Sequence, residues 1–353
     1  MKLAIISVTN QGALLGDALA EKLAKLGKKA DVFAKAGRNP MNSISYDLLS
    51  KLISDIFSKY DGFLFIMATG IVVRVIAPHI SDKRVDPAIV VMGDNGEHVI
   101  SLLSGHIGGA NELAHLIAEI SDAEPVITTA TDLAQKPAAD MLAVKLNLKI
   151  EPFTQLKAIN SAIVNNDTVK FFLDKTLNNQ NRYEQEAVKQ GVVFKDLSLL
   201  PNEEYDAAVI ITDQLLPINK NQLYLRPLTL AVGIGCRRNT SKEEILAAIK
   251  DACTQIGHSI NSISIIGSTI VKQDEKGLLS VIQQLNVPSI FFVNEQLQEC
   301  IETYQLEESN FVKKKIGVGN VCAAAAILAG QSNKLLLPKT KYKNVTVAIA
   351  PVK

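Results

Sequence analysis

The chain has 353 residues, enough for two or three domains, and its 47% hydrophobic and 21% charged residues are typical of a folded globular protein. With 37 Lys and Arg against 36 Asp and Glu, the bulk charge gives no reason to expect a nucleic-acid or membrane partner. The four cysteines show no Cys-x-x-Cys spacing, which argues against a zinc knuckle or a redox pair. No long apolar segment precedes the first strand, which favours a cytoplasmic protein.

Strands that alternate with helices are predicted for residues 1–150, an N-terminal α/β domain. The first strand, 3–9, is followed by a polar turn over 10–16 and a helix over 17–26. Two β-rich runs on either side of the turn 93–96 predict a hairpin. The other predicted elements are strands at 29–35, 62–68 and 125–129, and helices at 46–57, 71–78, after Gly108-Gly109, and at 137–146.

The pattern weakens over residues 151–227, which we predict to be a small middle module. Only 169–173 and 207–212 are clear strands, and 178–191 is dominated by polar residues. A second complete α/β unit is predicted for 228–353, where Thr240 and Glu243 form a capping box before a helix. The predicted fold class is therefore α/β: two α/β domains with mostly parallel or mixed sheets, joined by a small middle α/β module.

Polar or glycine-rich turns follow four predicted strands of the N-terminal domain, at 7–12, 68–74, 104–111 and 128–132. If that sheet is parallel, these turns meet in one crevice, where ligands of doubly wound folds bind. Backbone N–H groups at the helix start after the glycine pair would then favour a carboxylate or an oxyanion. The alternative is that the glycines only let a strand turn sharply into a helix.

His106 is the ionisable group in these turns that is best suited to proton transfer, because imidazole changes charge near neutral pH. A structural hydrogen-bonding role is the alternative. Asp132 could orient that imidazole, act as a base itself, or cap the next helix. The histidines show no metal-ligand spacing, and we predict no protein-bound metal.

Basic residues mark three further places. Arg74 interrupts an apolar stretch and needs a partner, either a ligand carboxylate or one of Asp82 and Asp86. In the C-terminal unit, Arg237-Arg238 precede one helix, and 313–320, KKKIGVGN, is predicted as a loop before another. Such loops suit a multiply anionic ligand, although a run of lysines is usually only a solvated surface. Lys272, Asp274 and Glu275 are predicted to form a surface ion-pair cluster.

Four N-terminal motifs, TGIVVRVIAP, DPAIVVM, SLLSGHIGGANELA and PVITTATD, resemble in order and spacing the N-terminal domain of the cobalt-precorrin-5A hydrolase (CbiG) family of anaerobic cobalamin biosynthesis. GIGCRRNTS, SNFVKKKIGVGNVCAAAAILAG and LLLPKTKYKNVTVAIA resemble its C-terminal domain. The resemblance covers nearly the whole chain and is weakest across 151–227.

The resemblance implies that water opens the ring A δ-lactone of cobalt-precorrin-5A and that acetaldehyde leaves, giving cobalt-precorrin-5B. It implies no cofactor, since cobalt is carried by the corrinoid substrate. From residue chemistry at the matched motifs, the predicted catalytic residues are His106 and Asp132, for proton transfer, and Ser104, Thr128 and Thr129, whose hydroxyls could hold the oxyanion. The implied substrate-binding residues are Thr69, Gly70, Arg74, Gly108, Gly109, Asn111, Gly235, Arg237, Arg238, Gly317, Gly319 and Asn320.

Two alternatives stay open. The chain could bind or channel the corrinoid intermediate without hydrolysing it, or it could act on a nucleotide or sugar phosphate. The protein partners that we expect are other enzymes of the cobalamin pathway and a second copy of the chain, as a homodimer.

Overall fold

The structure, a computed structural model, describes residues 1–38, 43–133, 136–217 and 219–353. The chain divides into two compact units, Met1–Val144 and Lys145–Lys353. The described residues form three β-sheets, flanked by helices, which confirms the α/β fold class. Among the helices described, none is both long and apolar enough to span a membrane.

A seven-stranded sheet forms the centre of the first unit, in the order β3-β2-β1-β4-β5-β6-β7. Its strands are β1 (Leu3–Ser7), β2 (Ala30–Lys35), β3 (Ile44–Tyr46), β4 (Gly62–Ile66), β5 (Ala88–Met92), β6 (His98–Leu103) and β7 (Glu124–Val126). The helices are α1 (Asn10–Lys25), α2 (Leu49–Ile56), α3 (Thr69–Ile76), α4 (Ala110–Ser121), α5 (Ala130–Leu133) and α6 (Ala139–Leu146).

Both faces of this sheet are covered by apolar helix faces. On one face, Leu19 of α1 and Ile117 of α4 pack in the same buried cluster as Ile5 of β1. On the other, Ile53 of α2 and Val72 of α3 pack in a cluster rich in sheet phenylalanines. Because both faces are buried, the central strands read as continuous apolar runs, which is why the sequence predicts them well.

The hairpin predicted around residues 93–96 is confirmed, since β5 and β6 pair in antiparallel fashion. β7 pairs parallel to β6, so these two strands run opposite to the other five. The carboxyl ends of β1 and β4 therefore lie at one edge of the sheet, and those of β6 and β7 at the other. The prediction that all four polar turns meet in one crevice is wrong, because the hairpin reverses the last two strands.

The second unit contains two five-stranded sheets. The middle sheet has the order β10-β9-β11-β12-β8 and consists of β8 (Lys149–Glu151), β9 (Val169–Leu173), β10 (Phe194–Asp196), β11 (Ala207–Ile211) and β12 (Gln222–Arg226), with α7 (Leu156–Val164) and α8 (Gln180–Lys189). The C-terminal sheet has the order β15-β14-β13-β17-β16 and consists of β13 (Leu230–Cys236), β14 (Ile263–Thr269), β15 (Ser289–Phe292), β16 (Leu337–Lys341) and β17 (Val345–Pro351). Its helices are α9 (Lys242–Gln255), α10 (Lys276–Leu285), α11 (Asn294–Thr303), α12 (Asn310–Ile316) and α13 (Val321–Gly330).

Helix α13 lies unusually close to the C-terminal sheet, which explains its run of alanines. A Cβ atom at Gly233 of β13 would lie 1.8 Å from the Cys322 carbonyl oxygen, and one at Gly267 of β14 would lie 2.6 Å from that of Ala325. Only glycine lets the helix backbone approach to this distance. Small residues on both elements therefore fix the position of α13.

Several predicted element boundaries are wrong for local reasons. The helix predicted to begin at residue 17 begins at Asn10, because Thr9 caps it by accepting from the Gly12 N–H at 2.9 Å. The cap of α9 is Ser241, which accepts from the Glu244 N–H, rather than the box predicted one residue earlier. The predicted lysine loop at 313–315 lies within α12, and the polar stretch 178–191 forms α8.

The predicted helix over 46–57 begins at Leu49, because residues 44–46 form β3. The predicted strand over 125–129 ends at Val126, so Thr128 and Thr129 lie in the segment that follows it.

Candidate active site

His106 lies in the turn between β6 and α4 and is held between two carboxylates. Its Nε2 atom is 2.8 Å from Asp132 Oδ2, and its Nδ1 atom is 3.1 Å from Asp140 Oδ1. The His106 side chain is only 7% exposed. The structure thus joins the two residues predicted to carry proton transfer and adds a third, Asp140.

The turn itself is built by a positive-φ residue at each end. Ser104 has φ 60° and Gly109 has φ 84°. Between them, a Cβ at Gly108 would lie 2.3 Å from Ser104 Cβ and 2.8 Å from the Ser104 carbonyl oxygen, so this position requires glycine. The turn is closed by the Ala110 N–H, which donates to the Ser104 carbonyl at 3.1 Å.

Internal hydrogen bonds engage the N–H groups at the helix start. The Gly109 N–H donates to the His106 carbonyl at 3.0 Å, and the Asn111 N–H donates to the Gly105 carbonyl at 3.0 Å. The N–H groups of Gly109, Ala110 and Asn111 therefore close the turn, and the role of the helix start in binding an oxyanion stays a prediction. Ser104 Oγ is buried and has no hydrogen-bond partner among the described residues.

Asn111 connects the turn to the segment after β7. Its Nδ2 atom donates to Thr129 Oγ1 at 2.9 Å and to Asp132 Oδ2 at 3.0 Å, while its Oδ1 atom accepts from Ser101 Oγ at 2.7 Å. Asn111, predicted to bind substrate, is buried and holds Asp132 instead. Thr129 belongs to the same network, whereas Thr128 is exposed.

Asp140 and Thr131 were not predicted as site residues. Asp140 lies in the first turn of α6, is 7% exposed, and also accepts from the Met141 N–H at 3.2 Å. Thr131 Oγ1 lies 3.3 Å from His106 Nε2. The sequence offers one signal, an aspartate at a predicted helix start, but that pattern equally indicates a residue that complements the helix dipole.

Opposing effects act on the charge of His106. Burial lowers its pKa, but the hydrogen bonds and charges of Asp140 and then Asp132 outweigh burial, so the pKa of His106 is raised above its ordinary value. Of the two acids, Asp132 is the one that reaches solvent, with 38% of its side chain exposed. The site therefore presents a carboxylate to solvent, with a buried imidazole behind it.

Three predicted substrate-binding residues, Thr69, Gly70 and Arg74, lie at the opposite edge of the sheet. The exposed Arg74 folds back along α3 and donates from Nη1 to the Gly70 carbonyl at 2.9 Å. The acids proposed as its partners are engaged elsewhere: Asp82 with Arg84, and Asp86 with Ser81. These residues do not join the His106 cluster.

The other predicted binding residues lie in three places in the C-terminal part of the chain: within β13, directly after β13, and between α12 and α13. Arg237 is exposed and lies 3.3 Å from Asn344 Oδ1, but Arg238 pairs with Asp274 at 2.6 Å. Asn320 caps α13, since its Oδ1 accepts from the Ala323 N–H at 3.2 Å. These residues are Gly235, Arg237, Arg238, Gly317, Gly319 and Asn320.

The predicted surface cluster at Lys272, Asp274 and Glu275 is only partly at the surface. Lys272 and Glu275 are both buried, and they form an ion pair at 3.4 Å. Within the part of the chain that the structure describes, no group of three or more His, Cys, Asp or Glu residues is arranged to hold a metal ion.

Three family models match successive parts of the chain. Family models match residues 51–132 (Cobalamin synthesis G N-terminal), 137–227 (Cobalamin biosynthesis central region) and 230–350 (Cobalamin synthesis G C-terminus). The chain is 30% identical over 358 residues to the cobalt-precorrin-5A hydrolase of Priestia megaterium, covering 98% of this chain and 94% of that protein. It is 35% identical over 294 residues to the enzyme of the same name from Salmonella typhimurium, covering 83% of this chain and 82% of that one.

Among solved structures, the chain is similar to a cobalamin biosynthesis protein G homologue from Sulfolobus solfataricus. The two sequences are 22% identical, the TM-score is 0.39, and the match covers 100% of this chain and 97% of that one. The three family models and the full-length relatives agree with the motifs found in the sequence. The chain belongs to the cobalamin synthesis G (CbiG) family.

Proposed function

We propose that this chain is a hydrolase that acts on cobalt-precorrin-5A in anaerobic cobalamin biosynthesis. Water opens the ring A δ-lactone, a two-carbon unit leaves as acetaldehyde, and cobalt-precorrin-5B is formed, so the enzyme acts on a carbon–carbon bond. Two full-length relatives that bear the name cobalt-precorrin-5A hydrolase support this proposal.

One observation carries the assignment to the first unit: an imidazole between two carboxylates, one of them exposed. Lactone opening needs a group that removes a proton from water and returns it to the departing oxygen, and a carboxylate–imidazole pair supplies both functions. The proposal requires no resident cofactor, because cobalt arrives with the substrate.

Arginines offer the simplest means of holding the carboxylates of the substrate. Arg237, which is exposed and contacts the amide oxygen of Asn344, is the better candidate after β13, since Arg238 is neutralised by Asp274. It stays a prediction that these arginines bind substrate. Binding of other pathway enzymes or of a second copy of the chain, and a cytoplasmic location, also stay predictions.

The test is an anaerobic incubation of the full chain with cobalt-precorrin-5A, with acetaldehyde measured against time. We expect stoichiometric acetaldehyde from the wild type and from His115→Gln, which changes an exposed histidine on α4. His106→Gln should lose most of the activity. Substrate binding without acetaldehyde would favour the alternative of a corrinoid-binding or channelling protein.

A further inference from the structure

The contacts of His106 restrict where its protons can be. A neutral imidazole has one N–H donor and one acceptor nitrogen. Here both ring nitrogens face carboxylate oxygens, at 2.8 Å and 3.1 Å, so a neutral ring would turn a lone pair towards one of them. An imidazolium donates to both. The contacts are therefore satisfied together when His106 is charged and both acids are ionised.

We propose that Asp132 is the catalytic base that faces the substrate, and that His106 is a positioning residue held as an imidazolium by Asp140. This assignment reverses the roles expected from the sequence, where His106 was the first candidate for proton transfer. It rests on the proposed function for the identity of the substrate, but the charge state of His106 can be tested without any substrate.

Both acids also accept hydrogen bonds from groups other than His106. Asp132 Oδ2 accepts from His106 and from Asn111 Nδ2, at 2.8 Å and 3.0 Å. Asp140 lies at the start of α6, where the helix dipole favours a negative charge, and accepts from the Met141 N–H. Asp132 on α5 and Asp140 on α6 are the charged groups that act on His106, and Lys136 is the cation in the chain between those helices.

The exposed fractions of the three side chains show which of them can meet the substrate. His106 and Asp140 are each 7% exposed, whereas Asp132 is 38% exposed. With Oδ2 occupied by two donors, Oδ1 is the oxygen of Asp132 that can meet water. A histidine whose two nitrogens are engaged cannot take a proton from water unless these contacts break first.

The proton balance of lactone opening follows. Asp132 Oδ1 takes a proton from water as the water oxygen adds to the lactone carbonyl carbon. The acyl carbon–oxygen bond then breaks, and the departing oxygen takes the same proton from Asp132. The carboxylate ends the step as it began. Acetaldehyde then leaves as Asp132 takes the proton of the freed hydroxyl, the carbon–carbon bond breaks, and the ring carbon that held the two-carbon unit takes that proton, so the His106 protons do not move.

The first test is nitrogen-15 NMR of the full chain labelled at its five histidines, with His106 identified by the signal that His106→Gln removes. We expect both ring nitrogens of His106 to be protonated at neutral pH, and Asp140→Asn to lower the pH at which one proton is lost. Asp122→Asn, an exposed left-handed position that suits asparagine, should leave it unchanged. A neutral His106 in the wild type at that pH would overturn the proposal, whatever the enzyme hydrolyses.

The second test is the pH profile of acetaldehyde release. With an imidazolium in the working state, kcat/KM falls as the pH rises through the pKa of His106, and Asp140→Asn moves that fall to lower pH by about one unit or more. Asp132→Asn loses turnover while substrate binding persists, and Asp140→Glu partly restores the profile. If activity instead rises through the His106 pKa, or if Asp132→Asn remains active, His106 is the base and the proposal fails. If no variant or wild type releases acetaldehyde while NMR finds the imidazolium, the proposed function fails and the charge assignment stands.

Discussion

Replacing Gly108 with alanine should disrupt the turn that carries His106. The new Cβ would lie 2.3 Å from Ser104 Cβ, roughly 1.2 Å inside an ordinary carbon–carbon contact. The Ser104 carbonyl oxygen, 2.8 Å away, cannot retreat freely because it accepts from the Ala110 N–H. Overpacking of this kind costs about 1–3 kcal/mol, and loss of that hydrogen bond adds about 1 kcal/mol.

The same displacement should also reduce turnover, and by more than the loss of folding stability alone would. A shift of about 1 Å in a catalytic group costs about a hundredfold in rate. We expect Gly108→Ala to lower the free energy of unfolding by about 2–4 kcal/mol, measured by guanidinium denaturation followed by circular dichroism, and acetaldehyde release to fall by about that hundredfold. Gly70→Ala is the matched control for stability, because its Cβ would meet the flexible end of Arg74 at 3.3 Å. A Gly108→Ala variant as stable and active as the wild type would refute this account of the turn.

Three further predictions concern stability. Gly233→Ala should cost more than about 3 kcal/mol or prevent folding of the second unit, measured by the same denaturation, since its Cβ would overlap the Cys322 carbonyl at 1.8 Å. Arg226 is fully buried and pairs with Glu151 at 2.5 Å, so Arg226→Met, which leaves the Glu151 carboxylate without its charge partner, should cost about 3–5 kcal/mol in the same denaturation. Because the folded pKa of His106 is raised, its stabilising contribution is complete below about pH 6.5 and is lost as the pH rises through the folded pKa. Melting temperatures of wild type and His106→Gln should therefore converge on the alkaline side.

The sequence predicted the apolar strands well because burial on both faces leaves a continuous apolar run that needs no knowledge of neighbours. It failed where the outcome depends on pairing. The turn at 93–96 correctly indicated a hairpin. Because of this hairpin, β6 and β7 run opposite to the other strands, and His106 lies at the other edge of the sheet from Arg74. That consequence can be predicted only when the strand order of the whole sheet is known.

Within the site, the sequence predicted His106, Asp132 and Asn111 but missed Asp140 and Thr131. Asp140 is 34 residues from His106 along the chain. An aspartate at a helix start also looks like a residue that only complements the helix dipole. Asn111 was found but given the wrong role, because whether an amide faces substrate or a neighbouring aspartate depends on side-chain direction. Spacing alone does not contain that information.

The central claim is that Asp132, supported by His106, activates water at the lactone of cobalt-precorrin-5A. The most direct test compares the rate of acetaldehyde release by Asp132→Asn with that by the wild type. Both are measured at saturating substrate, after substrate binding has been shown to be equal. We expect stoichiometric release by the wild type and a rate lower by at least about a hundredfold in the variant. Equal rates in the two proteins would contradict it.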